Sequence, residues 1–568
     1  MKKVILLYSL ILCFYSSSAF SQDKFWIEFK DKNIESKDYR KYISEKTAEN
    51  RRKAGLPVFQ YSDVPVNTAY LDSLSVYDIP VHAKSKWLNS VSSTLTAEQL
   101  EQVKGFSFVD TIYGISSDIK IASTNLDADP ASYAIAMEQM NAEAFRNKGL
   151  TGKGVDIGVI DAGFYRAYSD KSLLHIMNEE KIVAQRDFID PSRTDIVTQA
   201  ATDADYHGAM VLKMIAGYDE KNNFQSGMAI NANYYLARTE DGDREHRGEE
   251  DQWIQAMEWM DSLGVKLINT SLGYSTKMDD PDDNYKQEEM DGKTARITRA
   301  AQIAAMEKGV FLVVSAGNEG NADWRIISAP ADAEGVLSVG ATKKTVWGRI
   351  GYSSIGPDFL PYMKPNVSCF SPNGTSFSAP AITGFVACLM EEAPDMSSQD
   401  LKKIVEKSAH LYPYGNNHIG YGVPLADRAL TLLESDDHDF GTVSEKFLNG
   451  KDKYKIKAKR KYLKDALVFH KSNGHVVVKE KMLKGGNKKK MSEAEEIYIE
   501  LGLISEDDSK ETEGMNERQK RRYERKKKRK ANRTKKVMLD KPEGVERSTI
   551  VIDNQVIEVF WDQKKNTK

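Results

Sequence analysis

The sequence predicts an α/β protein, with a mainly parallel sheet between two layers of helices over residues 151–434 and a small α+β domain ahead of it over 22–118. Three observations carry the prediction. Short apolar runs alternate with amphipathic ones from Thr151 to about Glu434. Two of the amphipathic runs stop at a glycine, and an apolar run follows at once. Parallel strands need crossover helices, and this alternation supplies them.

Taken in order, Val155–Ile160 is a short apolar strand ending at Asp161. His207–Ala216 is a helix with Met210, Val211, Met214 and Ile215 on one side. Tyr234–Ala237 is a strand. Gln252–Leu263 is a helix stopped by Gly264, before the strand Val265–Asn269. Arg296–Lys308 repeats the design, with Gly309 and the strand Val310–Val314. Phe377–Met390 is a long apolar helix. Upstream, Phe25–Phe29 alternates as a strand, Thr96 caps a helix over Thr96–Val103, and Phe106–Val109 opens another strand. Residues 119–150 are a polar linker that passes into a helix near Tyr133–Lys148. Beyond 435 the chain turns basic, most of all over Asn516–Lys536, and is expected to be partly disordered or helical. It ends in a hairpin, Ser548–Ile552 and Gln555–Trp561, around Asp553-Asn554.

The chain has 568 residues, too many for one core, with a net charge of -3 and 3 cysteines, too few for a disulfide framework. Residues 1–21 read as a signal peptide: Lys2 and Lys3, an apolar Val4–Tyr15, then Ala19-Phe20-Ser21 as a cleavage site. The expectation is export to the cell surface, periplasm or medium, starting at Gln22. No other stretch reaches the ~18 apolar residues a membrane span requires.

Four residues form a candidate catalytic set. Ser376, in Asn-Gly-Thr-Ser-Phe-Ser-Ala-Pro over 373–380, opens an apolar helix whose N-terminal N–H groups suit a nucleophile that generates an oxyanion. Read alone it could be an N-cap serine. His207 can take and return a proton near neutral pH, or be a surface histidine at a helix start. Asp161, at the carboxyl end of a parallel strand, can orient that histidine, or be a turn aspartate. Asn318, in Ser315-Ala316-Gly317-Asn318, can donate its amide to an oxyanion, or form a turn. The order Asp, His, Ser separates the set from chymotrypsin-type and α/β-hydrolase orders. Ser378 also breaks the Gly-x-Ser-x-Gly elbow.

Residues 151–434 resemble the subtilases, subtilisin-family serine peptidases, in Asp161-Ala162-Gly163, His207-Gly208, Ser271-Leu272-Gly273, Ser315-Ala316-Gly317-Asn318 and Gly374-Thr375-Ser376 through Ala379-Pro380, with a closing Gly420-Tyr421-Gly422. The resemblance implies peptide-bond hydrolysis by Asp161, His207 and Ser376 through an acyl-enzyme. It implies Asn318 as oxyanion donor, and Ser271, Leu272, Gly273, Ser315, Ala316 and Gly317 flanking an extended substrate. It requires no cofactor. Ala162 and Ala209 stand where the family usually has hydroxyl residues, and the approach from Lys364 to Ser376 is shortened; these departures bear on specificity. The alternative is an inactive subtilase fold serving as a binding scaffold.

By the same resemblance, residues 22–118 are an inhibitory propeptide, with cleavage reachable in the polar stretch that follows Ser116 and no single bond marked by the sequence; an accessory domain is the alternative. Besides its own propeptide and protein substrates, the basic tail could take acidic polymers, although a solvated helix explains it as well; a monomer is expected. The acidic insertion 276–293 (Asp279, Asp280, Asp282, Asp283, Glu288, Glu289, Asp291) is expected to be a solvated loop, with structural calcium the alternative. Cys369 and Cys388 flank Ser376, and buried free thiols are expected over a disulfide.

Overall fold

The structure is a computed structural model, and it describes residues 23–33, 40–115, 130–199, 203–241, 248–276, 284–435, 437–463, 465–483 and 517–564. Residues 1–21, read above as a signal peptide, the stretch after Ser116 where cleavage is expected, and Asp279, Asp280, Asp282 and Asp283 lie outside these residues.

The N-terminal unit contains β1 (Asp23–Phe29), α1 (Glu45–Lys53), α2 (Thr68–Val76), β2 (Ala83–Ser85), β3 (Ser90–Leu95), α3 (Ala97–Lys104) and β4 (Val109–Ile115). Its antiparallel sheet runs β2-β3-β1-β4. Thr96 caps α3 in a reciprocal box with Gln99, which satisfies two of the N–H groups a helix start leaves open. The linker helix expected near Tyr133–Lys148 is two helices, α4 (Pro130–Gln139) and α5 (Glu143–Lys148). Asn141 separates them with a left-handed φ of 55°.

The central unit comprises β5 (Asp156–Asp161), α6 (Leu174–Asn178), β6 (Ile182–Asp187), α7 (His207–Ala216), the short pair β7 (Tyr218–Asp219) and β8 (Phe224–Gln225), β9 (Asn233–Arg238), α8 (Glu249–Ser262), β10 (Leu267–Thr270), α9 (Arg296–Met306), β11 (Phe311–Ser315), β12 (Leu337–Thr342), β13 (Val367–Phe370), α10 (Thr375–Glu392), α11 (Ser398–Ser408) and α12 (Ala426–Glu434). Seven parallel strands lie in the order β13-β12-β11-β10-β5-β9-β6. Alternate strand residues feed two cores. Val159, Leu267 and Val313 pack with α7 and α10, whereas Ile160, Ile268, Leu312 and Val314 pack with α8 and α9. A sheet covered on both faces explains why these strands read as unbroken apolar runs.

The N-terminal unit docks on the α8–α9 layer through buried polar contacts. Glu258 of α8 accepts from Ser85 Oγ (2.7 Å), Trp87 N (3.0 Å) and Lys86 N (3.1 Å). Arg51 bridges Asp63 (2.7 Å) of its own unit and Asp261 (3.1 Å) of the central one. Lys308 returns the contact to Asp63 at 2.9 Å.

The region after 435 has the expected basic helix and closing hairpin, and in addition strands that were not expected. It contains β14 (Val443–Phe447), β15 (Lys453–Lys459), α13 (Arg460–Leu463), β16 (Leu467–Ser472), β17 (Val476–Met482), α14 (Glu517–Ala531), β18 (Thr534–Asp540), β19 (Arg547–Ile552) and β20 (Gln555–Phe560). The expected hairpin is β19–β20, with Asp553 and Asn554 both at positive φ, as a type I′ turn requires. The strands preceding it were not expected. A sheet runs β14-β20-β19-β16-β17, and β15 pairs with β18. Their lysine content hid them, because in β15 the lysines occupy only the outward positions while Ile456 is buried beneath.

Candidate active site

Asp161 closes β5 and is fully buried. Its Oδ1 lies 2.7 Å from His207 Nδ1 and accepts from the Ala162 N–H at 2.8 Å. Two glycines permit this approach. A Cβ on Gly163 would meet Asp205 Oδ1 at 2.3 Å, and one on Gly208 would meet the Gly163 carbonyl at 2.3 Å and Asp161 Cβ at 3.0 Å. Gly163 therefore serves here by lacking bulk. Arg238, at the end of β9 and buried, donates Nε to the Ala162 carbonyl (3.0 Å) and to Asp205 (3.1 Å), and pairs with Asp187. It braces the loop beneath Asp161.

His207 begins α7 with 17% of its side chain exposed. Its ring packs against Phe377, the residue after Ser376, at 5.6 Å between centroids. Burial disfavours the imidazolium, but the charge and hydrogen bond of Asp161, with help from Glu240, outweigh it and raise the pKa. Glu240 follows β9, and its neighbour Thr239 donates its N–H to the Asp161 carbonyl at 3.1 Å. The Glu240 carboxyl accepts from Tyr274 Oη (2.7 Å) and Thr239 Oγ1 (3.0 Å). Burial pushes its pKa up to about 7 against those bonds, with the Asp161 charge adding to the rise.

Ser376 is in the first turn of α10 and half-buried, where helix N–H groups lack helical partners. Its Oγ donates to the Ser271 carbonyl at 3.2 Å rather than to His207. Ser271 Oγ returns a bond to the Ser376 carbonyl at 2.9 Å. Asn318 Oδ1 accepts from the Thr375 N–H (2.8 Å) and hydroxyl (3.0 Å). The Asn318 amide as a whole lies against Gly374, where a Cβ would come within 3.3 Å of its nitrogen and 3.4 Å of its oxygen. Gly374 also adopts φ 131°, which side chains rarely take.

The flanking segments converge on the same place. Ser271-Leu272-Gly273 leads from β10 past the Ser376 hydroxyl to Tyr274, which pairs with Ala329 through two backbone bonds. Ser315-Ala316-Gly317 leads from β11 to Asn318, and Thr375 Oγ1 bonds to the Gly317 N–H at 3.1 Å. Thr375, Arg238 and Glu240 were missed as contributors. Thr375 stood inside a quoted motif, whereas the other two gave no local signal.

Cys369 on β13 and Cys388 on α10 are free and buried, and burial raises both thiol pKa values. In the acidic insertion Asp291 caps the N–H groups of Lys293 (3.0 Å) and Thr294 (2.7 Å). Among the described residues no cluster of three or more His, Cys, Asp or Glu side chains could hold a metal ion. Among them, too, no helix is long and apolar enough to cross a membrane.

Residues 152–422 match the model of the Subtilase family (Peptidase S8). This part of the chain is a subtilase domain. Residues 24–129 match the Peptidase S8 propeptide domain of Bacteroidota, which identifies the N-terminal unit as a propeptide. The subtilase is 25% identical over 359 residues to Subtilisin NAT of Bacillus subtilis subsp. natto, covering 61% of this chain and 81% of that one. It is 27% identical over 282 residues to Subtilisin BL of Lederbergia lenta, covering 48% and 90%. Among solved structures, the epidermin leader peptide processing serine protease of Staphylococcus aureus aligns at 14% identity and TM-score 0.49, covering 74% of this chain and 100% of that one. The subtilase is a serine-type endopeptidase made with its own propeptide.

Proposed function

We propose that the enzyme is exported as an inhibited precursor and hydrolyses peptide bonds with Asp161, His207 and Ser376, Asn318 serving the oxyanion. The observation that carries the reading is the 2.7 Å contact of Asp161 Oδ1 with His207 Nδ1, at the mouth of the helix that bears Ser376. With Nδ1 engaged, Nε2 is left to receive the Ser376 proton once the hydroxyl turns from the Ser271 carbonyl. Catalytic hydrogen bonds commonly tighten only when substrate is bound.

Ser376 Oγ then attacks the peptide carbonyl, and the Asn318 amide with the Ser376 N–H holds the negative oxygen. His207 returns the proton to the leaving amine, the C–N bond breaks, and water attacks the acyl-enzyme with His207 again as base. Bare backbone at Gly273 and in 315–317 can pair with an extended substrate strand. These steps use only protein groups, so the reading needs no cofactor. Export rests on the sequence of residues 1–21.

The test compares the wild type with Ser376→Ala for labelling by a fluorophosphonate probe and for self-processing, with N-terminal sequencing of both forms. Labelling and processing confined to the wild type are expected, with the precursor starting at Gln22. An unlabelled wild type would mean an inactive scaffold, and a processing Ser376→Ala chain would remove Ser376 as nucleophile.

A further inference from the structure

The region after 435 carries a cationic track that peptide hydrolysis does not use. In β15, Lys453, Lys455, Lys457 and Lys459 are all exposed, while Tyr454, Ile456 and Ala458 turn inward to a core shared with Val537 and Leu539. The lysines therefore form a single file on the solvent face, spaced by about 6.7 Å. In the antiparallel register Lys457 lies directly opposite Lys536. Like charges placed opposite each other destabilise a ribbon unless an anion joins them. Among the described residues, the ion pair recorded along this file is Lys453 with Asp540 at 3.6 Å, at its far end.

The track continues onto α14. Arg533, which leads from α14 into β18, accepts at its carbonyl from Arg460 N beside the end of β15. Along α14 the exposed Arg518, Arg521, Arg522, Arg525, Lys528 and Arg529 fall within an arc of about 120° at 100° per residue. Arg525, Lys528, Arg529, Asn532 and Arg533 line an open depression of about 530 Å³ at the joint between helix and ribbon.

We propose that this track binds duplex DNA through its phosphate backbones, without sequence preference. A two-stranded ribbon and a helix, each about 22 Å long, are elements that fit along a duplex. Guanidinium forks match phosphate oxygens in pairs. A membrane surface is the poorer fit, because the lysine face offers Met538 but no apolar row to insert. The track lies on the appended unit, so it would hold the peptidase at a nucleic-acid surface and leave the cleft free.

The experiment titrates a fluorescent 20-base-pair duplex with the full-length Ser376→Ala chain at several salt concentrations. If about five phosphates are neutralised, affinity falls roughly 500-fold between 50 and 200 mM salt. The triple variant Lys455→Glu, Lys457→Glu, Lys536→Glu is expected to flatten the log–log salt slope by about 3 and to keep the parent's melting temperature. The milder Lys→Gln triple should flatten it likewise if the Glu variant fails to fold. No binding at 50 mM salt overturns the proposal, and would fit neutralisation by the chain's own acidic stretch 493–513. An unchanged slope in both triple variants overturns it too, as does tighter binding to anionic vesicles or heparin than to the duplex.

Discussion

Asn318 is turned by Thr375: its side-chain oxygen accepts the Thr375 N–H at 2.8 Å and the hydroxyl at 3.0 Å. One amide group therefore has a fixed acceptor end and a fixed donor end. The residue that fixes them is the neighbour of Ser376, the proposed nucleophile, so the amide and Ser376 Oγ are positioned by the same turn of α10.

Replacing Asn318 by Leu is accordingly expected to lower kcat about 100- to 1000-fold with little change in KM, the range known for this donor in subtilisin itself. Thr375→Val keeps the backbone bond and loses the hydroxyl bonds, so a loss of about 10-fold is expected, roughly one neutral hydrogen bond. Steady-state kinetics on a peptide ester checks both. Equal losses in the two variants would mean that Thr375 does more than orient the amide.

The pH profile follows from the charges around His207. As the proposed base, His207 has to be neutral to act, and Asp161 and Glu240 raise its pKa against the effect of burial. The acidic limb of kcat/KM is expected above the usual imidazole value of about 6.5. Glu240→Gln removes the charge that Glu240 carries as it ionises around pH 7, and should move the limb to lower pH. A limb that does not move would show that Glu240 is not felt at the imidazole.

Stability should carry a second signature of Glu240. Its carboxyl is raised from 4.5 to about 7, so between these values the folded protein holds a proton that the unfolded chain has released. Stability then falls as pH rises through that window, by roughly 3 kcal/mol in all. In the Ser376→Ala background, Glu240→Gln should melt with less loss between pH 5 and pH 8 than its parent. Parallel pH dependence in the two proteins would contradict this.

Gly208→Ala tests the close approach under the Asp161–His207 pair. The added methyl would need the space of the Gly163 carbonyl and Asp161 Cβ. Overpacking of this kind costs about 1–3 kcal/mol of stability. It should also displace Asp161 from His207, so the folded variant is expected to lose turnover beyond what its unfolded fraction explains. Active-site titration beside thermal melting separates the two effects.

Glu258→Ala tests the propeptide contact. It would leave Ser85 Oγ, Lys86 N and Trp87 N without their acceptor, at about 1–3 kcal/mol for each group that stays buried. In the Ser376→Ala precursor a lower melting temperature of the propeptide unit is expected. In the competent chain, activity should appear earlier during maturation. Unaltered melting and maturation together would show that the docking relies on other contacts.

Much of this was legible in the chain. The helix His207–Ala216 matched residue for residue, and β5, β9, β10 and β11 fell within one or two residues of their expected bounds. A strand buried on both faces can only be written as an apolar run, and a crossover helix as an amphipathic one, so local pattern suffices there. The lysine-bearing strands after 435 were not legible in this way. A two-residue alternation of lysine with Tyr454, Ile456 and Ala458 resembles a basic coil until its partner β18, 75 or more residues away, is in place.

Local motifs carried the candidates for nucleophile, base, acid and amide donor, and their order along the chain pointed to a family. Tertiary structure decided what surrounds them. The buried Glu240, the brace at Arg238, the turning of Asn318 by Thr375 and the acceptor of the propeptide N–H groups at Glu258 all depend on contacts between segments remote in the chain. Such contacts leave no local periodicity, since burial and charge pairing are properties of the packed chain and not of any one stretch of it.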